Sequence, residues 1–336
     1  MKKYKRIWIA AAIISAVVIL CRVGQKMGII DTQNRGIKLW QDEGEKPERL
    51  RKNSHDKKIT ESLDEENLTT DKNEKTWADY LTENNTLELS RIVRENRNIV
   101  DGSDYNAIDN KLYAWWFKRN DAHEKSGCQQ DFDITSYDAH YIVPVSDKRI
   151  YITFDCGYEN GFTADILDTL KEEGVTAAFF VTQTFIRDNV ELTRRMKEEG
   201  HLVCNHTVTH PSMPSKSIEE QKSELLTCEN YMKEATGYDM DLFFRPPRGE
   251  YSERTLQMAK DMGYTTIFWS MAYLDYDVNN QPAAQHVIEH FGKYYHPGAI
   301  PLMHNVSVAN RDALSEVLKN LKKEGYSFGS LYELKN

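Results

Sequence analysis

From Tyr151 onward the chain repeats one local pattern, and this repetition restricts its fold more than any other feature. Four charged, amphipathic stretches each end in a glycine: KEEG at Gly174, KEEG at Gly200, KDMG at Gly263 and KKEG at Gly325. A glycine just past the last helical turn takes the left-handed conformation that stops a helix. Between and around these stretches lie β-rich runs: Tyr151 to Phe154, Thr176 to Val181, Leu202 to Asn205, Leu242 to Phe244, Thr265 to Trp269, Ala299 to Met303 and Tyr326 to Leu331. Short strands alternating with helices pair as parallel βα units. Seven such runs predict an α/β fold, a distorted and incomplete (β/α)7 barrel rather than a closed eightfold one.

The chain before the barrel reads differently. Lys2, Lys3, Lys5 and Arg6 precede an apolar run from Ile7 to Cys21, the layout of a segment that is sent across a membrane. At ~1.5 Å per residue the run covers roughly 22 Å, short of a hydrocarbon core of ~30 Å. Leu20, Cys21, Arg22 and Val23 offer no small-residue cleavage site, and Leu20 is too bulky for a lipoprotein signal. Residues 1–24 are therefore expected to be a signal-anchor with Trp8 and Arg22 at the interfaces, a cleaved signal peptide being the alternative. That places the protein at the cell membrane as a single-pass chain with its domain outside the cytoplasm. Residues 25–110 are dense in Lys, Glu, Asp, Asn and Thr between Glu45 and Lys75, too polar to bury a core. They are expected to form a charged, largely disordered stalk with at most a short helix near Leu87 to Val93. The domain would then occupy residues 111–336.

A formal charge of −9 argues against a partner made of nucleic acid. The five cysteines, Cys21, Cys128, Cys156, Cys204 and Cys228, contain no C-x-x-C and neither demand nor exclude a disulfide.

The polar residues fall at the ends of the expected strands. Asp155 follows the first, His206 and His210 the third, Arg245 the fourth, Asp275 lies beyond the fifth and His304 ends the sixth. In an α/β barrel that rim carries catalytic groups, because its loops are free to vary. His206-x-x-x-His210 puts two imidazoles four apart, but Thr207 stands where a zinc peptidase needs glutamate, and Pro211 biases His210 out of a helix. The pair is read as metal ligands in a loop, against the plainer reading of two surface histidines. Arg245-Pro-Pro-Arg248-Gly249 sets two guanidiniums on a rigid turn suited to orienting carboxylates. His304 has a core histidine as its rival reading, and Asp277 competes with Asp275.

Thr153-Phe-Asp-Cys-Gly157, His206-x-x-x-His210, Arg245-Pro-Pro-Arg-Gly249, Asp275 and Leu302-Met-His304 together resemble the five ordered motifs of the polysaccharide deacetylase family (NodB-homology domain, carbohydrate esterase family 4), over about Lys111 to Leu334. Trp115-Trp-Phe-Lys118, Gly157-Tyr158-Glu-Asn-Gly-Phe-Thr163 and Phe268-Trp269-Ser270 resemble the branch that deacetylates N-acetylmuramic acid on the route to muramic-δ-lactam in spore cortex. The resemblance implies a divalent metal, zinc above others, on His206 and His210. It implies Asp155 as general base, His304 as general acid, Arg245 orienting Asp155, and Asp275 orienting the acid side. It further implies substrate contacts from Arg248, Tyr158 and Trp269, an oxyanion contact from a backbone N–H near Arg248, a peptidoglycan glycan strand as partner, and action after an amidase has removed the stem peptides. A guanidinium at Arg248 suits the lactyl carboxylate that such removal exposes. Rival functions are a non-catalytic glycan-binding module on the same scaffold and a deacetylase or esterase for another polysaccharide.

The chain departs from the family pattern at Cys156, where most members carry a second, metal-binding Asp. A cysteine sulfur sits one bond nearer the backbone than an aspartate oxygen and loses roughly 1.2 Å of reach, of which a Zn–S bond returns only about 0.1 to 0.3 Å. Cys156 is therefore expected not to ligate tightly.

Overall fold

The computed structural model describes residues 75–128 and 131–335. The expected signal-anchor and most of the expected stalk lie outside the described residues, within which no helix is long and apolar enough to cross a membrane.

Seven strands form the central sheet: β1 (Ala139–His140), β2 (Thr153–Cys156), β3 (Ala178–Val181), β4 (Leu202–Asn205), β5 (Asp241–Phe244), β6 (Thr265–Ile267) and β7 (Leu302–His304). Their order is β7-β2-β3-β4-β5-β6-β1, and every pairing is parallel. The two edges meet only through single bridges, Met271 with Pro301 and Ile142 with Ala299. This is the incomplete seven-stranded barrel that the sequence predicts, and all four helix-ending glycines have positive φ.

One strand assignment is corrected. The run Tyr326 to Leu331 does not join the central sheet, because only Ser327–Phe328 is extended and it pairs with Arg149–Ile150. Ser330 then caps a 3₁₀ turn, Leu331–Leu334, with a reciprocal bond between its backbone N–H and Glu333, which ends the strand. The seventh place in the sheet belongs to β1, which the sequence reading did not include.

The helices that follow the strands are α3 (Thr163–Glu172), α4 (Gln183–Asp188), α5 (Val190–Glu198), α6 (Ile218–Thr236), α7 (Glu253–Asp261), α8 (Ala284–Tyr294) and α9 (Val308–Lys323). α6, the longest, starts at a Ser217–Glu220 capping box and ends at Gly237. Two further helices, α1 (Trp77–Thr82) and α2 (Thr86–Glu95), lie in the segment read as stalk, and α2 is the short helix expected near Leu87 to Val93. They are folded onto the barrel: Leu89 is fully buried, and Arg94 and Arg97 donate to Glu229 of α6 at 2.9 and 2.6 Å. The expected disorder therefore does not extend over residues 77–110. Trp77, Tyr80, Leu81 and Val93 pack against the same cluster as Leu89, and a few apolar anchors among many charged residues do not register in average composition.

Period-2 alternation along the strands sorts side chains into two layers. Ile152, Phe154, Cys156, Phe179, Val181, Val203 and Met303 face outward into a core shared with the helices. Tyr151, Phe180, Leu202, Cys204, Phe243 and Ile267 fill the barrel interior, with Leu331 and Tyr332 in the same cluster.

Candidate active site

The same alternation selects what reaches the barrel mouth. Asp155 has the parity of Tyr151, His206 that of Cys204, Arg245 that of Phe243 and Trp269 that of Ile267, so all continue the interior face one step beyond its apolar filling. His304 follows the outward-facing Met303 and also turns inward.

Asp155 is almost completely buried and accepts from Arg245 Nη1 at 2.7 Å. Arg245 has no exposed surface. Its Nη2 donates to Thr153 Oγ1 at 3.0 Å, its Nε to the Ile267 carbonyl at 3.0 Å, and its guanidinium lies 4.0 Å from the Phe180 ring centroid. Burial pushes the Asp155 carboxyl up, but Arg245, and behind it His206 and His304, outweigh burial and hold it below the ordinary carboxylate range.

His206 Nε2 lies 3.6 Å from Asp155 Oδ2, and the His206 and His210 rings are 4.9 Å apart. The connecting loop is strained: Thr207 and His210 have φ of 72° and 56°, a conformation that costs of order 1 to 3 kcal/mol per residue and persists only where the surroundings enforce it. Glu224 of α6 supplies the enforcement, accepting from the backbone N–H groups of Val208 and Thr209 at 2.8 Å each and from Thr209 Oγ1 at 2.6 Å.

The pair suits a divalent ion. His206 Nδ1 donates to the Arg245 carbonyl at 2.8 Å, which leaves Nε2 its lone pair, and burial lowers the imidazole to about 4, so that it is neutral. Among the described residues no group of three or more His, Cys, Asp or Glu is arranged to hold a metal, and the two neighbouring imidazoles are the donors this loop offers. Cys156 faces the outer core with Phe154, fully buried, and burial raises its thiol well above its ordinary value. It does not line the cavity. The alternation that turns Asp155 inward turns its neighbour out. Cys128, Cys204 and Cys228 are also free thiols.

His304 is bound at Nδ1 by Asp275 Oδ1 at 2.7 Å, while its backbone N–H donates to Asp275 Oδ2 at 2.8 Å. Asn310 completes the unit, donating to Asp275 Oδ2 at 2.7 Å and to the His304 carbonyl at 3.0 Å. Burial lowers the His304 imidazole, but the Asp275 carboxylate more than compensates, so its proton is held above the ordinary range. Asp277 is exposed, and its carboxylate accepts from Asn279 N–H in its own turn. Of the two candidates, Asp275 is the one that meets His304.

Asp155, His206, His210 and His304 line one cavity of 910 Å³, together with Arg248, Tyr158 and Trp269. Arg245 and Asp275 do not line it; they lie behind Asp155 and His304. Arg248 has φ of 59°, and Gly249, at φ 67°, is packed so that an added Cβ would lie 2.8 Å from Trp269 and 3.0 Å from Trp115. Trp115 stacks on Phe268 at 4.4 Å and donates from Nε1 to the Trp269 carbonyl at 2.9 Å, fixing that wall. The sequence reading missed Arg119, Leu274 and Tyr276, which also line the cavity. Arg119 directly follows the tryptophan motif and Tyr276 directly follows Asp275, so adjacency to a motif was the available signal.

Comparison with protein-family models matches residues 143–267 to the polysaccharide deacetylase family. The chain is 42% identical over 230 residues to the peptidoglycan-N-acetylmuramic acid deacetylase PdaA of Bacillus subtilis, covering 68% of this chain and 88% of that relative. The solved structure of Bacillus subtilis PdaA, a family 4 carbohydrate esterase, superposes with a TM-score of 0.66 at 40% identity, over 68% of this chain and 98% of that one. A family 4 carbohydrate esterase from Bacillus anthracis gives a TM-score of 0.56 at 35% identity, with the same coverage of both chains.

Proposed function

This chain belongs to the polysaccharide deacetylase family, a peptidoglycan-deacetylating hydrolase of amide bonds, and from that premise we propose that it removes the acetyl group of N-acetylmuramic acid in glycan strands whose stem peptides have been cut away. The observation that carries this reading is the pairing of Asp155 and His304. Both line one cavity, and their proton affinities are pushed in opposite directions by Arg245 and Asp275. Amide hydrolysis needs a base and an acid at one pH, and two groups so separated supply them.

In the proposed reaction Asp155, ionised beside Arg245, takes a proton from water as that water adds to the acetamide carbonyl carbon. His304, held by Asp275, gives its proton to the nitrogen as the C–N bond breaks. The products are acetate and the free 2-amine. His206 and His210 would hold a divalent ion, zinc being the proposed one because neutral imidazoles suit it. What a bound ion supplies there is Lewis-acid polarisation of the acetamide carbonyl and acidification of water. Arg248 is proposed to pair with the lactyl carboxylate, while Tyr158 and Trp269 flank the sugar. The freed amine and that carboxylate are the two groups a muramic-δ-lactam joins, so the proposed place of the reaction is in spore cortex, after an amidase. The substrate lies outside the cytoplasm, which agrees with residues 1–24 as a tether at the cell membrane.

The test is mass spectrometry of peptidoglycan fragments incubated with the protein, with and without prior amidase treatment. The proposal expects loss of acetyl from muramoyl residues only in amidase-treated strands. Loss from glucosamine alone, or equal loss without amidase, would overturn it.

A further inference from the structure

Beside the catalytic cavity lies a second hollow of 730 Å³, walled by α8 and the Leu274 to Ala283 loop, which shares Arg119, Tyr273 and Leu274 with the first. The two are therefore contiguous. His290 of α8 lies between two aromatic rings, 4.8 Å from Tyr273 and 4.9 Å from Tyr294. It is 7% exposed, and its Nε2 has no hydrogen-bond partner. Burial, with Arg119 and His286 nearby, lowers its imidazole to about 3, so it serves as a neutral hydrogen-bonding group. Two basic side chains flank the Tyr294 ring, the Arg119 guanidinium at 5.7 Å and the Lys293 ammonium at 5.3 Å from its centroid. Arg119 is held by the Ala272 carbonyl. One carboxylate, Glu289, also lines the hollow and accepts from Gln285 at 3.0 Å.

Tyrosine faces and a net excess of cations form a wall suited to an acidic sugar. We propose that this hollow is a second saccharide subsite, which takes the next repeat of the same glycan strand and pairs its lactyl carboxylate with Arg119 and Lys293. The proposal rests on the reading of the catalytic cavity as one for peptide-free muramoyl strands. In such strands the carboxylate recurs on every second sugar, so a strand seated in the first cavity carries a further carboxylate along its length.

The experiment compares acetate release by the full-length, zinc-supplied protein from peptide-free muramoyl disaccharide, the corresponding tetrasaccharide, and chitotetraose. The wild type is expected to show kcat/KM about tenfold higher on the tetrasaccharide than on the disaccharide, the gain of one charge-assisted contact. Lys293→Gln should bring that ratio within about twofold, and Lys293→Arg should restore it. An unchanged ratio in Lys293→Gln, or a chitin tetramer that gains as much from length as the muramoyl one, overturns the subsite. If no fragment is deacetylated, the catalytic reading fails separately. The subsite is then judged by calorimetric Kd for tetrasaccharide against disaccharide, with the same collapse expected in Lys293→Gln and its absence decisive against the proposal.

Discussion

Arg245 Nη1 donates to Asp155 Oδ1 at 2.7 Å from a guanidinium with no exposed surface, so each buried charge is the other's principal compensation. Arg245→Met should therefore leave an unpaired buried carboxylate and cost about 3 to 5 kcal/mol in urea unfolding at neutral pH. The folded carboxyl lies below its unfolded value of about 3.9. The pair's stabilisation is then fully present above that value and is lost as pH falls through the lower, folded one. The gap between wild type and Arg245→Met should shrink in strong acid. A gap that does not change with pH would contradict the pairing.

His304 owes its raised proton affinity to Asp275. Its stabilising contribution is complete below about 6.5 and is lost as pH rises through the higher, folded value. If His304 acts as the acid, activity fails on the alkaline side as it deprotonates. Asp275→Asn should move that limb of the kcat profile to lower pH and lower the maximum by about 10- to 100-fold. An unmoved alkaline limb would assign it to another group.

Glu224 holds the strained turn between His206 and His210 through three hydrogen bonds. Glu224→Ala should free that turn and weaken zinc binding by about tenfold or more, read by competition with a chelating dye, because an orienting partner of a metal ligand commonly carries that much. Glu224→Gln, which keeps an acceptor, should lose less. Equal zinc affinity in all three forms would show that the turn holds its shape without Glu224.

Gly249→Ala would force a Cβ to within 2.8 Å of Trp269 at a φ of 67°. The expected cost is about 1 to 3 kcal/mol in stability. A rise in KM should accompany it, since Trp269 and Arg248 are displaced together. Unaltered Tm and KM would mean that the Trp115–Trp269 wall yields without consequence.

Much of this was legible because it depends on local rules. Glycine stops at Gly174, Gly200, Gly263 and Gly325 and runs of β-branched and aromatic residues located six of the central strands, and strand ends located Asp155, His206, Arg245 and His304. The seventh strand was not legible, since Ala139–His140 is too short to show alternation and is defined only by pairing with Thr266 and Ile267. The docking of α1 and α2 was hidden for a similar reason: Arg94 and Arg97 find Glu229 more than 130 positions away in the chain. Arg119 and Leu274 adjoin motif residues in the chain, but that their loops reach the mouth follows from the assembled barrel.

Asp155, ionised by Arg245, is the proposed base that opens an N-acetyl amide in this cavity. The most direct test is acetate release from amidase-treated glycan strands by the full-length protein and by Asp155→Asn, at neutral pH with zinc supplied, after circular dichroism has shown both to be folded. Wild type should release acetate in step with the appearance of free amine, and Asp155→Asn should be slower by about 10²- to 10⁴-fold, the usual worth of a positioned base. Equal rates in the two forms would show that Asp155 is not the base, and no acetate from the wild type on any muramoyl strand would show that the cavity does not open this amide.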